Sequence, residues 1–191
     1  MTDNRLEFLV NMYNQMWSNI NRHILIVWQS LGTLTGAIII LVSVKKEYIP
    51  IDYSVTIIIC ISTFAIVHVY DASVWYFRNL VIITNIERIF LGKEDLCGVC
   101  FLFGERRDPS KMLHYLKLQI RFCYLIAFVS VCWHFYVRIY SIILNNAVYP
   151  CSSLLPYICI LASLIMCYRS KERMLRKNKK IDEKSPGVLM L

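Results

Sequence analysis

The chain has 191 residues, of which 57% are hydrophobic, and its mean hydropathy of +0.50 is too high for an ordinary soluble domain. Lys and Arg outnumber Asp and Glu by 21 to 13, which gives a formal net charge of +8. A basic balance can indicate nucleic-acid binding, but here the positions of the charges along the chain give a different explanation, developed below.

The N-terminal region, residues 1–23, is predicted to be an amphipathic helix. Its apolar side chains recur at helical spacing beside Asn, Gln and Ser: Leu6, Leu9, Tyr13, Trp17 and Ile20. Such a helix would lie on the membrane surface or pack on a neighbouring subunit. The uncharged run Ile24 to Val44 follows and predicts an uncleaved membrane anchor, within which Gly32 and Gly36 form a G-x-x-x-G pattern that favours a close helix contact.

A second apolar run, Val55 to Val69, continues without Pro or Gly as far as Phe90 and predicts one long helix that ends at Gly92. At about 1.5 Å per residue this helix would be roughly 54 Å long, whereas the hydrocarbon core of a bilayer is about 30 Å thick. We therefore expect its second half to project into the cytoplasm, so that residues 24–92 form a first membrane hairpin with a long helical extension.

The long helix carries a polar stripe at steps of three and four residues, which we take as the main candidate for a functional surface: His68, Asp71, Trp75, Arg78, Ile82 and Asn85. We add Asn79, next to Arg78, as a further candidate for a pore or subunit interface. Ionisable groups near membrane depth are costly unless they face a bundle interior, a partner or a water-filled path. The alternative is that the membrane boundary lies near Val69 and the stripe is a solvated face.

The connection at residues 93–117 contains two short motifs. Cys97 and Cys100 form a C-x-x-C, but a structural zinc site needs four ligands and no second pair is near, so no metal site is predicted. Arg107 and His114 loosely match the signature of HEPN-type ribonucleases, in which His acts in acid-base chemistry and Arg stabilises phosphate charge. Pro109 interrupts the motif, and an interfacial or phosphate-facing basic pair explains it equally well.

Two further apolar segments, Phe122 to Val137 and Leu154 to Tyr168, predict a second hairpin over residues 118–168. The basic tail at 169–191 is expected to be solvated, next to anionic headgroups. Placing both termini in the cytoplasm puts 17 of the 21 Lys and Arg residues inside, which is the positive-inside pattern. The sequence thus predicts an all-α integral membrane protein with two helical hairpins, up to four membrane helices, and one long helix that projects into the cytoplasm.

Nucleotide-binding loops, nucleophile elbows and zinc-protease motifs do not occur in the sequence, so we expect neither a conventional enzyme nor a cofactor. The eight cysteines lie mostly in apolar runs, where Cys behaves as a small hydrophobic residue, and none requires a disulfide.

A set of short polar and aromatic motifs is spread over about the first 120 residues: Tyr13, Trp17, Asn21-Arg22-His23, Trp28-Gln29-Ser30, His68-Val69-Tyr70-Asp71-Ala72-Ser73, Trp75-Tyr76, Arg78-Asn79-Leu80 and Asn85-Ile86-Glu87-Arg88. In these motifs the chain resembles the RipA-like family of octameric bacterial inner-membrane proteins, and within it the membrane accessory proteins of type VI-B CRISPR systems.

The resemblance implies an antiviral effector in the bacterial inner membrane. It would be an octameric, pore-like homo-oligomer that acts downstream of an RNA-guided RNase and depolarises the membrane. The family's degenerate HEPN-like motif would correspond to Arg107 and His114. The stripe residues Asp71 and Arg78 would line the path or bridge adjacent subunits. The alternatives are a membrane-anchored ribonuclease that uses Arg107 and His114, and a non-conducting membrane scaffold.

Overall fold

The structure is a computed structural model that describes residues 3–45, 49–91, 108–140, 144 and 150–185, and for part of the first helix between residues 26 and 45 it describes only the backbone. Four α-helices make up most of the described chain: α1 (Asp3–Lys45), α2 (Ile51–Phe90), α3 (His114–His134) and α4 (Leu155–Glu183). No strand occurs among the described residues. The predicted all-α class is therefore confirmed for this part of the chain.

The helix α1 joins the predicted amphipathic segment and the predicted anchor into one element of 43 residues. No Pro interrupts it, and its length is on the order of 65 Å at 1.5 Å per residue. A Cβ atom added at Gly32 or Gly36 would meet nothing within 4 Å, so among the described residues these glycines make no close helix contact.

The helix α2 is a single element of 40 residues, as its uninterrupted sequence predicts, but it begins four residues before Val55. Pro50 precedes it, and the carbonyl of Pro50 accepts a hydrogen bond of 3.1 Å from the backbone N–H of Ser54. The first turn carries Asp52, whose negative charge suits the positive end of the helix dipole. The predicted cap at Gly92 lies outside the described residues.

The second half of the chain is more helical than the sequence indicates. The helix α3 is followed directly by a π-helical turn, Phe135–Tyr140, and α4 is preceded by a 3₁₀ turn, Cys151–Leu154. The helix α4 does not end near Tyr168 but continues to Glu183. The interpretation of residues 169–183 as a solvated tail was wrong in this respect, since Met174, Asn178 and Asp182 recur every four residues and are buried.

Within the part of the chain that the structure describes, three helical segments are long and apolar enough to cross a membrane: Ile51–Phe90, His114–Tyr140 and Cys151–Glu183. Of the most apolar window in each, 56%, 28% and 22% respectively is buried within the single chain. A membrane protein is thus supported, with α2 as the most enclosed of the three. The predicted first span, 24–44, includes many residues whose side chains lie outside the described part, and both it and the count of two hairpins stay predictions.

The chain divides into two compact units, the first built from three separate stretches of sequence and the second from two. One comprises Met1–Ile26, Asp71–Met112 and Glu172–Leu191; the other comprises Val27–Tyr70 and Leu113–Lys171. In the first unit, Ile20 of α1 packs on Leu80 and Ile83 of α2. The amphipathic face of α1 therefore packs on its own chain, which is a third outcome beside the two that the sequence left open.

Candidate functional site

The polar stripe of α2 lies on the exposed side of this helix. Asp71, Trp75 and Arg78 are exposed, and the side chain of Trp75 retains 51% of its accessible surface. The other members of the stripe are half-buried: His68, Ile82 and Asn85. Asn79 differs, because it faces inward and is only 4% exposed. Helical periodicity thus places the stripe on one face, whereas Asn79 lies on the adjacent side of the helix and is buried.

Trp75 is held between two cationic or titratable groups of the same unit. The imidazole of His23 on α1 stacks on it, with ring centroids 6.4 Å apart and an interplanar angle of 14°. The guanidinium carbon of Arg78 lies 5.3 Å from its ring centroid, within the range of a cation–π contact. These contacts fix Trp75 and Arg78 as a ridge along the exposed face of α2, and we call the pair the Trp75–Arg78 ridge.

A groove lies on each side of the Trp75–Arg78 ridge. The groove toward α1 has a volume of about 290 Å³. Apart from the ridge it is lined by polar and apolar residues of both helices: Met16, Asn19, Arg22, His23, Asn79 and Ile82. The Arg22 side chain donates a hydrogen bond of 3.3 Å to Asn19 at this edge.

The groove toward α4 is larger, at about 520 Å³, and more basic. We call it the lysine groove. Its α2 wall is Asp71, Val74 and the ridge. The other wall consists of Lys177, Lys180 and Ile181 of α4 and of Lys184, the residue that follows α4. The α2 residues and the three α4 residues each follow the spacing i, i+3, i+4 of a single helix face.

The C-terminal part of α4, residues 169–183, is the α4 extension, and it is held by polar contacts as well as by burial. The amide nitrogen of Asn178 donates to the carbonyl oxygen of Pro109 at 3.2 Å. Near the end of α4, the amide nitrogen of Asn85 donates to the hydroxyl oxygen of Ser185 at 3.1 Å. These contacts position the lysines of the extension relative to α2, which a solvated tail could not do.

A second polar cluster lies in the other unit, and its central pair of side chains is deeply buried. Asp52, at the start of α2, is 2% exposed, and His134, at the end of α3, is fully buried. The two side chains are joined by a hydrogen bond of 3.0 Å between His134 Nε2 and Asp52 Oδ1. Since a carboxylate only accepts hydrogen bonds, Nε2 is the protonated nitrogen in this contact.

Three more side chains complete this cluster. The hydroxyl of Ser152, in the 3₁₀ turn, donates to Asp52 Oδ2 at 2.6 Å. Nδ1 of His134 lies 3.1 Å from the hydroxyl of Tyr157 on α4. Nε of Arg138, in the π-helical turn, lies 3.5 Å from Asp52 Oδ1. The Asp52 cluster, as we call these five residues, ties together the ends of α2, α3 and α4.

The Asp52 cluster contains the residue types of a Ser-His-Asp triad but not its connectivity. In a triad the hydroxyl contacts the imidazole, which acts as its base. Here both imidazole nitrogens are taken up, by Asp52 and Tyr157, and Ser152 contacts the carboxylate instead. The arrangement satisfies a buried carboxylate and therefore supports a structural role rather than nucleophilic catalysis.

The HEPN-like pair is only partly described. His114 is exposed at the first position of α3, whereas Arg107 lies outside the described residues, as do Cys97 and Cys100. Before α3, Asp108 accepts hydrogen bonds from the hydroxyl and the backbone N–H of Ser110, and these bonds lower the pKa of its carboxyl. The ribonuclease hypothesis gains no geometric support here and stays a prediction.

Local sequence patterns do not connect His134 and Arg138 with Asp52, because Asp52 lies 82 residues before His134. Two sequence features could have indicated this contact: a lone acidic residue at the start of one apolar run and a lone His within another apolar run. A charged or polar group in such a place needs a buried partner.

Comparison with known proteins provides no relative. No protein-family model, no curated protein and no solved structure matches the chain. Among the described residues, no group of three or more His, Cys, Asp or Glu side chains is arranged to hold a metal ion.

Proposed function

We propose that this protein is an oligomeric, pore-forming effector of the bacterial inner membrane. Following its resemblance to RipA-like proteins, it acts in CRISPR-linked antiviral defence and depolarises the membrane downstream of an RNA-guided RNase. Both termini lie in the cytoplasm, and the active form is a homo-oligomer of about eight copies. The protein is not an enzyme in this proposal.

One observation carries the proposal. The most apolar and most enclosed helix, α2, continues directly from apolar residues into an exposed face with Asp71, Trp75 and Arg78. Asp71 makes no ion pair with any described residue. Polar groups so close to a membrane are better accommodated in an assembly, where neighbouring copies or a shared aqueous path surround them.

The exposed apolar surface of the other two spanning helices agrees with an assembly inside a bilayer. Large side chains of α3 and α4 are more than half exposed in the single chain, among them Phe128, Leu161 and Ile165. Such surface is satisfied by lipid or by a second copy, but not by water.

The deciding measurement is the mass of the protein extracted in detergent, determined by native mass spectrometry. A discrete ring of several copies, near eight, would support the proposal and make conductance in planar bilayers the next assay. A monomer or dimer in several mild detergents would remove the structural basis of a pore. In that case an RNA-cleavage assay on Arg107→Ala/His114→Ala would separate the ribonuclease from the scaffold.

Variants of the stripe test whether it takes part in the assembly. Asp71→Ala and Arg78→Ala should insert into the membrane normally, because hydropathy governs insertion, but should weaken oligomerisation or membrane leakage. Arg88→Ala removes an exposed cation from the last turn of the same helix and serves as the matched control. If both stripe variants assemble and conduct like the wild type, the stripe is a solvated face. The exposed polar face of α2 then no longer supports the proposal.

A further inference from the structure

The lysine groove gathers more positive charge than its own chain neutralises. Four cations line it, Arg78 and the three lysines, against the single carboxylate of Asp71, a net of +3. All five side chains belong to exposed residues. None of the four cations makes an ion pair with a described carboxylate, whereas the neighbouring Lys179, on another face of α4, pairs with Glu183 at 3.8 Å. The groove therefore suits a ligand with negative charge.

The level of the groove along α2 indicates the source of that ligand. Counted from Ile51, about 20 residues of helix cross the roughly 30 Å hydrocarbon core and end near Tyr70. Trp75 then lies about 7 Å further on, in the headgroup layer, which is where Trp is enriched in membrane proteins. The groove begins at this level, and its α2 wall carries an apolar residue, Val74, beside the charges.

The side chains that line the groove further restrict the chemical class of the ligand. Lysine ammonium groups and a guanidinium bind a phosphate, which they contact with several N–H donors. Asp71 is acceptor-only when ionised, so it suits a neutral hydroxyl donor on the same ligand and disfavours a second phosphate beside it. The apolar Val74 and Ile181 suit the glycerol or upper acyl region of a lipid.

We propose that the lysine groove is a binding site for an anionic phospholipid whose headgroup carries hydroxyl groups, with phosphatidylglycerol as the simplest example. The phosphate lies among Lys177, Lys180, Lys184 and Arg78, and a headgroup hydroxyl donates to Asp71. Trp75 lies beside them on the α2 wall. The site does not depend on a pore, and the opposite side of the Trp75–Arg78 ridge remains available to a neighbouring copy.

The test is native mass spectrometry of the full chain in detergent, titrated with phosphatidylglycerol or with phosphatidylcholine. The informative variant is Lys177→Gln/Lys180→Gln/Lys184→Gln, which should weaken phosphatidylglycerol binding on the order of a hundredfold, since each lysine near a membrane contributes about a factor of five. Lys177→Arg/Lys180→Arg/Lys184→Arg should retain binding. Lys179→Gln, which removes the same charge from the same helix outside the groove, should bind as the wild type does.

Each other outcome overturns the proposal in a distinct way. Equal binding of the two lipids, or unchanged binding by the triple Gln variant, would show that the groove does not recognise the phosphate headgroup. Soluble glycerol phosphate that binds as tightly as the lipid would make the source a free phosphate. A short single-stranded RNA that binds instead, with the same loss in the triple Gln variant, would assign the groove to nucleic acid. Oligomer mass recorded in the same spectra reports separately on the pore proposal.

Discussion

Removal of the Asp52 carboxylate should destabilise this protein more than removal of any exposed carboxylate. In Asp52→Ala the imidazole of His134 and the hydroxyl of Ser152 lose a common acceptor at 3.0 and 2.6 Å, and the guanidinium of Arg138 loses its ion-pair partner at 3.5 Å. His134 is fully buried, so water cannot replace the lost partner without rearrangement.

The magnitude follows from the burial of each group. An orphaned buried donor costs about 1–3 kcal/mol, and removal of one partner from a buried ionic contact costs about 3–5 kcal/mol in soluble proteins. Polar contacts between membrane helices average less, so we expect about 3 kcal/mol for Asp52→Ala. Ser152→Ala breaks one hydrogen bond at a half-buried residue and should cost about 1 kcal/mol.

The assay is thermal unfolding in mild detergent, followed by tryptophan fluorescence. For a chain of this length, 3 kcal/mol corresponds to a decrease in Tm of roughly 6–12 °C. Glu7→Gln removes the charge of an exposed carboxylate on α1 and should leave Tm unchanged within about 1–2 °C. The double variant Asp52→Ala/His134→Ala should be less destabilised than the two single variants together, because the two residues share one contact.

Two results would refute this reasoning. If Asp52→Ala unfolds at the wild-type temperature, the carboxylate is not the acceptor that holds the three helix ends together. If Glu7→Gln is equally damaging, the loss arises from net charge or from detergent effects and not from the buried contacts.

Two further predictions concern packing within each unit. Cys60 on α2 and Cys159 on α4 have Sγ atoms 3.4 Å apart, so mild oxidation in detergent should join them in an intramolecular disulfide. Peptide mass mapping detects the linked peptides, and Cys60→Ser is the control. If no linked peptide forms, the two helices are not neighbours. Ile83→Ala removes a fully buried side chain and should lower the free energy of chemical unfolding by about 2–4 kcal/mol. Ile89→Ala, at a residue that is 52% exposed, should lower it by about 0.5 kcal/mol or less. Equal effects of the two variants would place the core elsewhere.

Much of the architecture was predictable from local sequence patterns. The apolar runs and their uninterrupted continuation indicated helices, and the coarse prediction of an all-α membrane protein is confirmed by the described helices and by three segments able to span. The stripe on α2 was predicted by helical periodicity alone, since positions three and four apart share a face in any α-helix. The continuation of α4 was missed because its charges hid the four-residue period of Met174, Asn178 and Asp182.

The sequence by itself determined where helices form, which segments are apolar enough to enter a bilayer and which side of α2 is polar. These properties depend on neighbours a few residues apart. Only the tertiary structure decided that Asp52 meets His134 and Ser152, 82 and 100 residues away, and that the lysines of α4 face Trp75 and Arg78. Such pairings depend on how helices pack against one another, and helical periodicity fixes the face of each helix but not the helix that it meets.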